Sequence, residues 1–470
     1  MKFRVLNERG IRAIHDTALM MLETIGMSIA GAEPRRALIA AGAKEKDGRI
    51  LIGPDLVQNA LSQVPPKGFE LAGRDAKRRF RLVPGEVRFR PAGGPPFIID
   101  YPSRTRRPAT MEDAETIVRV ADALKEIDVA NSAVSPSDIG VGIRNVNRFV
   151  TSLKFSTKPT DITASSPEEV AAINEIALVI RGSREALQRE PLVLVYVSPT
   201  SPMRISETEA LAMMECARRG LPLAPLSCPT LAATAPATIA GGVAQAWAEE
   251  LASIVLAYTI RPGLPVVACS RLFPADMRTG NLTSSGAAPG LATAAMTEVA
   301  AHFHLPTNGW GFVSSSHTED LQAGAERMMG ALLAALAGTN VISGAGTLDN
   351  ALVSTPEQLV IDNEIIRVVR NALQGVDVSP DTLATEYLSE GVLDGTFMTS
   401  SHTVDCLRNG RLWMPDLFSA EPCDMSAHGE RDLAARAGER VKKILQTHEV
   451  PALEKGQLNE IESILKAAGA

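Results

Sequence analysis

Apolar positions at helical spacing open the chain: Ile11, Ile14, Ala18, Leu19 and Leu22 recur every three or four residues and Gly26 ends the run. This pattern predicts an amphipathic helix over 8–26, a second over 33–41, a strand at 49–52 and a helix at 54–64. Between 69 and 100 the texture changes to short β-prone pieces broken by Gly and Pro, which predicts a small β insert outside any repeating core. From about residue 110 a rhythm sets in, with short apolar runs each followed by a helical stretch. Eight strand candidates can be marked, at 127–134, 160–164, 192–197, 223–226, 265–269, 309–313, 341–344 and 396–399. Strands that alternate with helices pair in parallel, because parallel neighbours need a crossover between them. Eight such units over roughly 300 residues match the usual size of an α/β (β/α)8 barrel.

A doubly wound open sheet competes with the barrel. The pairs Gly140-Val141-Gly142 and Gly344-Ala345-Gly346 lack the third glycine and the downstream acidic residue of a dinucleotide fingerprint, so the barrel is preferred. The division expected is an N-terminal helical region with a small β insert at 1–110, the barrel at 111–415 and a C-terminal helical tail at 416–470. That tail would pack on the barrel or on a neighbouring subunit.

Composition narrows the function. The 470 residues carry 47 Lys+Arg against 54 Asp+Glu, a net charge of −7, which argues against a general grip on nucleic acid. Five cysteines with irregular spacing and no CxxC pair argue against a disulfide scaffold or a thiolate metal cage. Charge interrupts every apolar stretch of the N-terminus, so no membrane span or signal segment is expected and the cytoplasm is the expected compartment. No GxSxG, HExxH or Walker sequence is present. Aromatic residues are scarce, at 4%.

In a parallel barrel the chemistry sits beyond the carboxyl ends of the strands. There the chain places Tyr196, Ser227, Ser270-Arg271, Trp310-Gly311-Phe312, His317, Gly344, Gly346, Asp349 and Phe397 to His402. Trp310 and Phe312 alternate at strand period and form either a wall for a cation or barrel filling. His317 and His402 read either as ligand contacts or as ordinary loop histidines. No catalytic acid or base is assigned.

Taken together, several segments resemble the trimethylamine methyltransferase (MttB-like) superfamily. They are Glu319-Asp320-Leu321-Gln322-Ala323-Gly324-Ala325-Glu326, Gly344-Ala345-Gly346-Thr347-Leu348-Asp349, Gln358-Leu359-Val360-Ile361-Asp362-Asn363-Glu364-Ile365 and Phe397-Met398-Thr399-Ser400-Ser401-His402-Thr403. The resemblance implies a TIM barrel that moves a methyl group from a methylated amine to Co(I) of cobalamin carried by a separate corrinoid protein. It also implies no metal bound to this chain itself, and the protein is expected to be a homo-oligomer. In the trimethylamine branch a pyrrolysine belongs in or near the stretch that here reads 309–316, where this chain has only standard residues. The branch without pyrrolysine, which resembles glycine betaine:corrinoid methyltransferases, is therefore the one implied.

A quaternary nitrogen leaves as a neutral tertiary amine, so neither a general acid nor zinc is required. On this reading Trp310 and Phe312 hold the cation, with Tyr196 and Phe397 as further candidates, and His317, His402 or Arg271 takes a carboxylate. Ser227, Ser270, Gly344, Gly346 and Asp349 form the rim facing the corrinoid. Two departures touch the mouth: Ser315-Ser316-His317-Thr318 stands where the family often has Asp-Ser-Lys, and Pro289-Gly290 where Pro-Glu is common. The alternatives are a non-catalytic barrel that binds methylated amines, or an unrelated barrel lyase or hydrolase using a loop histidine.

Overall fold

A computed structural model describes residues 3–101, 103–418 and 432–469. Numbering only the barrel strands, β1 is Arg88–Pro91, β2 Thr160–Thr163, β3 Val193–Val197, β4 Leu223–Ser227, β5 Ala268–Ser270, β6 Thr307–Trp310 and β7 Val341–Ala345. They form one curled parallel sheet in the order β1-β7-β6-β5-β4-β3-β2. The gap between β1 and β2 is bridged by the segment 128–130. Asp128 N donates to Phe89 O at 2.8 Å and Ala130 N to Pro159 O at 3.0 Å. The Asp128 carboxylate accepts from Phe89 N at 2.8 Å, where a strand carbonyl would otherwise sit, so the bridge closes the barrel without a regular ladder.

Eight helices surround the sheet: α1 Met111–Ala123, α2 Val141–Phe155, α3 Pro167–Arg181, α4 Glu207–Arg219, α5 Ile239–Ile260, α6 Ala288–His302, α7 Leu321–Ala337 and α8 Pro356–Gln374. Their starts are set by local chemistry. Thr110 and Asp113 close a capping box on α1, and Ser206 and Glu209 close another on α4. Gly182, Gly220 and Gly338 end α3, α4 and α7 in the left-handed conformation.

Eight barrel strands were expected and the sheet has seven, with the segment 128–130 in the eighth place and the strands shifted along the chain. Arg88–Pro91, read from sequence as part of an insert outside the barrel, is a barrel strand, so the barrel draws on residues before 111. The stretch 396–399 is not a strand but a turn leading into the helix Ser401–Arg408. The first error has a clear origin: Arg90 points into the barrel and is buried, whereas an Arg-Phe-Arg alternation reads as a solvated edge.

The remainder of the N-terminal region serves the barrel. The hairpin Phe69–Ala72 with Arg79–Leu82 plugs the amino-terminal end, where Leu71, Phe80 and Leu82 pack with Val129, Leu194, Tyr196, Val267 and Val341 in the interior. The first helix, Glu8–Met20, lies against α5, and Trp247 Nε1 donates to His15 Nδ1 at 3.0 Å. The tail helices α9 Leu433–Thr447 and α10 Lys455–Ala467 pack outside the barrel, α9 on α8 and α1 and α10 on α3. Among the described residues no helix is long and apolar enough to cross a membrane.

Lys158, just before β2, donates from Nζ to Ala121 O at 2.7 Å and Leu124 O at 2.6 Å, closing the carboxyl end of α1. Burial pushes its pKa from 10.5 down to about 7. Below that value both folded and unfolded chains hold the proton and the cost of burying the charge is present in full. Between there and 10.5 only the unfolded chain still holds it, so stability rises with pH. Relative to Lys158→Met, the wild type is expected to gain up to about 1.4 kcal/mol per pH unit across this window. Urea unfolding at several pH values measures the difference, and parallel curves for the two proteins would contradict it.

Candidate active site

Side chains on barrel strands alternate between the interior and the helix layer, and toward the carboxyl ends the interior changes from apolar to polar. Above the layer of Leu194, Ala224 and Cys269 lies a connected set from five strands and the bridging segment. Arg90 on β1 grips Asp161 on β2 with Nε and Nη2, at 2.6 and 2.7 Å, and Asn131 Nδ2 donates to the same carboxylate at 2.8 Å. Burial alone would push the Asp161 carboxyl up; the fork of Arg90 opposes that, and this two-point geometry holds the pair ionised. Arg90 Nη1 also donates to Ser343 Oγ at 3.0 Å, and Ser343 Oγ donates to Asn308 Oδ1 at 2.8 Å. Asn308 Nδ2 reaches the Tyr196 hydroxyl at 2.6 Å. Burial raises the Tyr196 pKa well above its ordinary value, so this hydroxyl is neutral.

Arg271 completes the layer. Its Nη2 donates to Asn308 Oδ1 at 2.7 Å and Ser343 Oγ at 3.3 Å, and its Nη1 to the carbonyls of Ser270 at 2.9 Å and Asn308 at 3.3 Å. Every one of these acceptors is neutral. Arg271 is only 6% exposed, yet no carboxylate lies within 4.0 Å of it among the described residues. Glu250 on α5 senses the charge, but burial pushes its pKa well up and keeps it protonated. A buried cation without a counter-ion is costly, and such groups are normally paired. The guanidinium carbon also lies 5.3 Å from the ring centre of Trp310, whose edge meets Phe273 at 5.7 Å.

The loops beyond the strands are tied to one another. Ser315 N and Ser314 Oγ both bond the Glu326 carboxylate, at 2.9 and 2.7 Å, and Ser315 Oγ donates to Asn350 Oδ1 at 2.9 Å. Ser284 reaches the same Asn350 oxygen at 2.8 Å. His317 Nδ1 lies 3.1 Å from Asp349 Oδ1, and Arg106 donates to Asp349 Oδ2 at 2.8 Å. The rim after β5, β6 and β7 is thus one cross-braced unit.

Several residues singled out from the sequence converge here: Trp310, Tyr196 and Arg271 in the polar layer, His317 and Asp349 on the rim, and Gly344 beside Trp310. Others do not. Phe312 is fully buried in the helix layer, edge-on to Phe89 at 6.0 Å, because β6 is regular only to Trp310 and Gly311 and Phe312 both bond to the Ser343 carbonyl. Ser227 and Ser270 also turn to the helix layer; Ser227 Oγ bonds the Glu249 carboxylate at 2.5 Å and does not face a partner. Gly346 N–H is taken by Asp362 Oδ2 at 2.7 Å, and that carboxylate pairs with Arg327 at 2.7 Å behind the sheet.

His402 and Phe397 lie on an arm, residues 376–414, that leaves the barrel at the end of α8 opposite the mouth. There Arg370 pairs with Glu126 and Asp128, which open the bridging segment at its amino-terminal end. His402 instead stacks near Tyr387, 5.2 Å away. Sequence reading missed Arg90, Asp161, Asn131, Asn308 and Ser343. A polar residue two positions from an apolar one inside a strand run was the available signal.

Gly344 has φ +108°, and a Cβ there would lie 2.9 Å from Phe312 O and 3.1 Å from Trp310 Cε3. Gly344→Ala is expected to cost about 1 to 3 kcal/mol and to displace the indole. Steady-state tryptophan fluorescence and chemical unfolding check this; unchanged emission together with unchanged stability would contradict it.

Residues 1–467 match the family model described as trimethylamine methyltransferase (MTTB). The chain is 31% identical to trimethylamine methyltransferase MttB2 of Methanosarcina mazei over 97% of its own length and 94% of that protein's. It is 27% identical to the glycine betaine methyltransferase of Desulfitobacterium hafniense, over 99% and 96% of the two chains. The solved hydroxylamine complex of MtmB superposes with a TM-score of 0.50 at 11% identity, over 100% of this chain and 95% of that one, a likeness of fold alone. A barrel with a polar, net cationic layer below its mouth, matched across its whole length by this family, belongs to the trimethylamine methyltransferase family of methyltransferases.

Proposed function

We propose that this protein takes a methyl group from a quaternary amine bearing a carboxylate, a glycine betaine-like zwitterion, and delivers it to the cobalt of a separate corrinoid protein. The observation that carries the reading is Arg271, a buried guanidinium without a carboxylate partner, set against the face of Trp310. A carboxylate on the substrate supplies the missing counter-charge, and the methylated nitrogen then lies against the indole. A simple cation such as tetramethylammonium would meet Arg271 as a like charge. Family relatives that act on trimethylamine and on glycine betaine support an amine as methyl donor.

Cob(I)alamin on the partner supplies the nucleophile. The methyl carbon leaves as the electrophile, and the electron pair of the broken C–N bond stays on nitrogen as the lone pair of a neutral tertiary amine, so no proton is moved. The chain's own task is to bind, orient and exclude water. Arg271 and Trp310 fix the two ends of the substrate, while Asn308, Ser343, Arg90 and Asp161 hold Arg271 in place from beneath. The rim suits a large partner: Val141 and Leu321, which open α2 and α7, and Met277 and Leu352, in the stretches that follow β5 and β7, are exposed apolar side chains, Leu321 at 89%.

The test supplies reduced corrinoid with glycine betaine, proline betaine, carnitine, trimethylamine and tetramethylammonium, and follows the demethylated amine by NMR. Turnover is expected with the carboxylate-bearing quaternary amines. Turnover of trimethylamine or tetramethylammonium ahead of every betaine would overturn the substrate class, and demethylation without corrinoid would overturn the acceptor.

A further inference from the structure

Beside Arg271 the polar layer offers a second place for a ligand group. Asn131, on the bridging segment, is 2% exposed, and its Nδ2 donates to Asp161 Oδ1 at 2.8 Å. A carboxylate oxygen only accepts, so this bond fixes which end of the amide is which and turns Asn131 Oδ1 away from Asp161. That Oδ1 is buried and has no hydrogen-bond partner among the described residues. Buried acceptors are normally satisfied, and one left bare is costly.

Arg90 Nη2 ends on the same Asp161 oxygen, at 2.7 Å, so the guanidinium and the amide meet there. The nitrogen carries two hydrogens and has this one acceptor among the described residues. A free donor and a bare acceptor therefore stand side by side. Gly93, two residues beyond β1 and exposed, opens them to the mouth. A Cβ there would lie 3.0 Å from Arg90 Nη2 and 3.5 Å from Asn131 Nδ2, so any other residue would cover the pair.

Charge decides what fits. Arg90 and Asp161 cancel, so the spot favours a neutral group: a second carboxylate would face the oxygens of Asp161 and Asn131, and a quaternary nitrogen has no hydrogen to donate. A hydroxyl accepts from Nη2 and donates to Oδ1 with one atom. Ser343 Oγ accepts from Arg90 Nη1 at 3.0 Å and from Arg271 Nη2 at 3.3 Å, so the spot adjoins the guanidinium that takes the substrate carboxylate in the proposal above. We infer that the substrate carries a hydroxyl group near its carboxylate, held between Arg90 Nη2 and Asn131 Oδ1, which makes it a hydroxylated betaine. This rests on the zwitterion reading of Arg271 and Trp310 and narrows it. A betaine without the hydroxyl leaves the buried acceptor bare in the complex, and a site built to bond a hydroxyl discriminates against such an analogue.

Isothermal titration calorimetry of the full-length protein, with no corrinoid present, tests the inference on betaines that differ by the hydroxyl alone. Each enantiomer of carnitine is compared with γ-butyrobetaine, and the betaine of 4-hydroxyproline with proline betaine. The wild type is expected to bind the hydroxylated member of at least one pair roughly 10- to 100-fold more tightly, as the cost of a bare buried acceptor implies. Asn131→Ala, which removes the acceptor, and Gly93→Ala, which covers it, are each expected to bring that ratio close to one, with far-UV circular dichroism as the check on folding. If either variant misfolds, the other variant and the wild-type ratios decide. Equal affinity, or none, within both pairs while glycine betaine binds overturns the inference and leaves the zwitterion reading standing. Binding of no betaine at all overturns that reading, and the inference with it. A hydroxyl preference that survives in a folded variant of either residue shows that the hydroxyl is held elsewhere.

Discussion

Arg271→Met is expected to lower kcat/KM for a betaine by on the order of 10²- to 10³-fold, because removing one member of a buried, hydrogen-bonded charge pair costs about 2 to 5 kcal/mol. In the free protein no counter-charge contacts Arg271 among the described residues, where it bonds to Ser270 O, Asn308 and Ser343 Oγ. The variant therefore sheds a buried charge that nothing compensates, and its stability should equal or exceed that of the wild type. Loss of activity with stability gained is the signature of a group held for ligand binding, because a structural arginine would lose both together. Arg271→Lys keeps the charge without the planar fork and should retain an intermediate rate. If Arg271→Met turns over betaine at the wild-type rate, the carboxylate is bound elsewhere, with His317 on the rim the next residue to test.

Asp161→Asn should act in the opposite sense and destabilise the fold by about 3 to 5 kcal/mol, because it strands Arg90 in the interior without its carboxylate. Arg90 has no alternative acid to turn to in the polar layer, whose other members are Asn131, Asn308, Ser343 and Tyr196. Removing both charges as Arg90→Met with Asp161→Leu should recover much of the loss, since a well-packed apolar pair can replace a buried ion pair. The double variant should nevertheless transfer methyl groups poorly, because Ser343 and Asn308 lose the neighbour that orients them beneath Arg271. Denaturant unfolding of the two singles and the double measures the cycle. A loss below about 1 kcal/mol in Asp161→Asn would show that the pair is not the anchor of this layer.

The contrast between these two arginines shows what could be read in advance. Arg271 was visible because it directly follows a short apolar run, and in a barrel that position is the mouth. Arg90 was not, because it sits in Arg-Phe-Arg-Pro, where two charges around one aromatic look like a solvated edge. Its partner Asp161 lies 71 positions away in the chain. Nothing local records that pairing, and without it neither the strand at 88–91 nor its place in the barrel can be recognised. The same limit explains 396–399. Thr-Phe-Met-Thr has the composition of a strand, but a strand exists only where a neighbour completes its hydrogen bonds, and the barrel was already closed by the bridge at 128–130.

Trp310 and Phe312 make the same point at the site. Two aromatics two apart face one side only while the strand stays regular, and here β6 ends at Trp310. Phe312 turns into the helix layer against Phe89, so of the two rings only the indole, with Phe273 against it, lies beside Arg271. A wall of two rings for a cation thus becomes one ring and one guanidinium, which shifts the expected ligand from a bare cation to a zwitterion.

By itself the sequence determined the parallel barrel, the helices that surround it, the glycine- and serine-rich segments after its strands, and the family, because periodicity and motif order are local properties carried along the chain. Only the tertiary structure decided which strand closes the barrel, which side chains share its interior and which arginine stands there unpaired. Those outcomes depend on contacts between residues far apart in sequence and on the cost of burying charge, and that cost is set only once the interior exists.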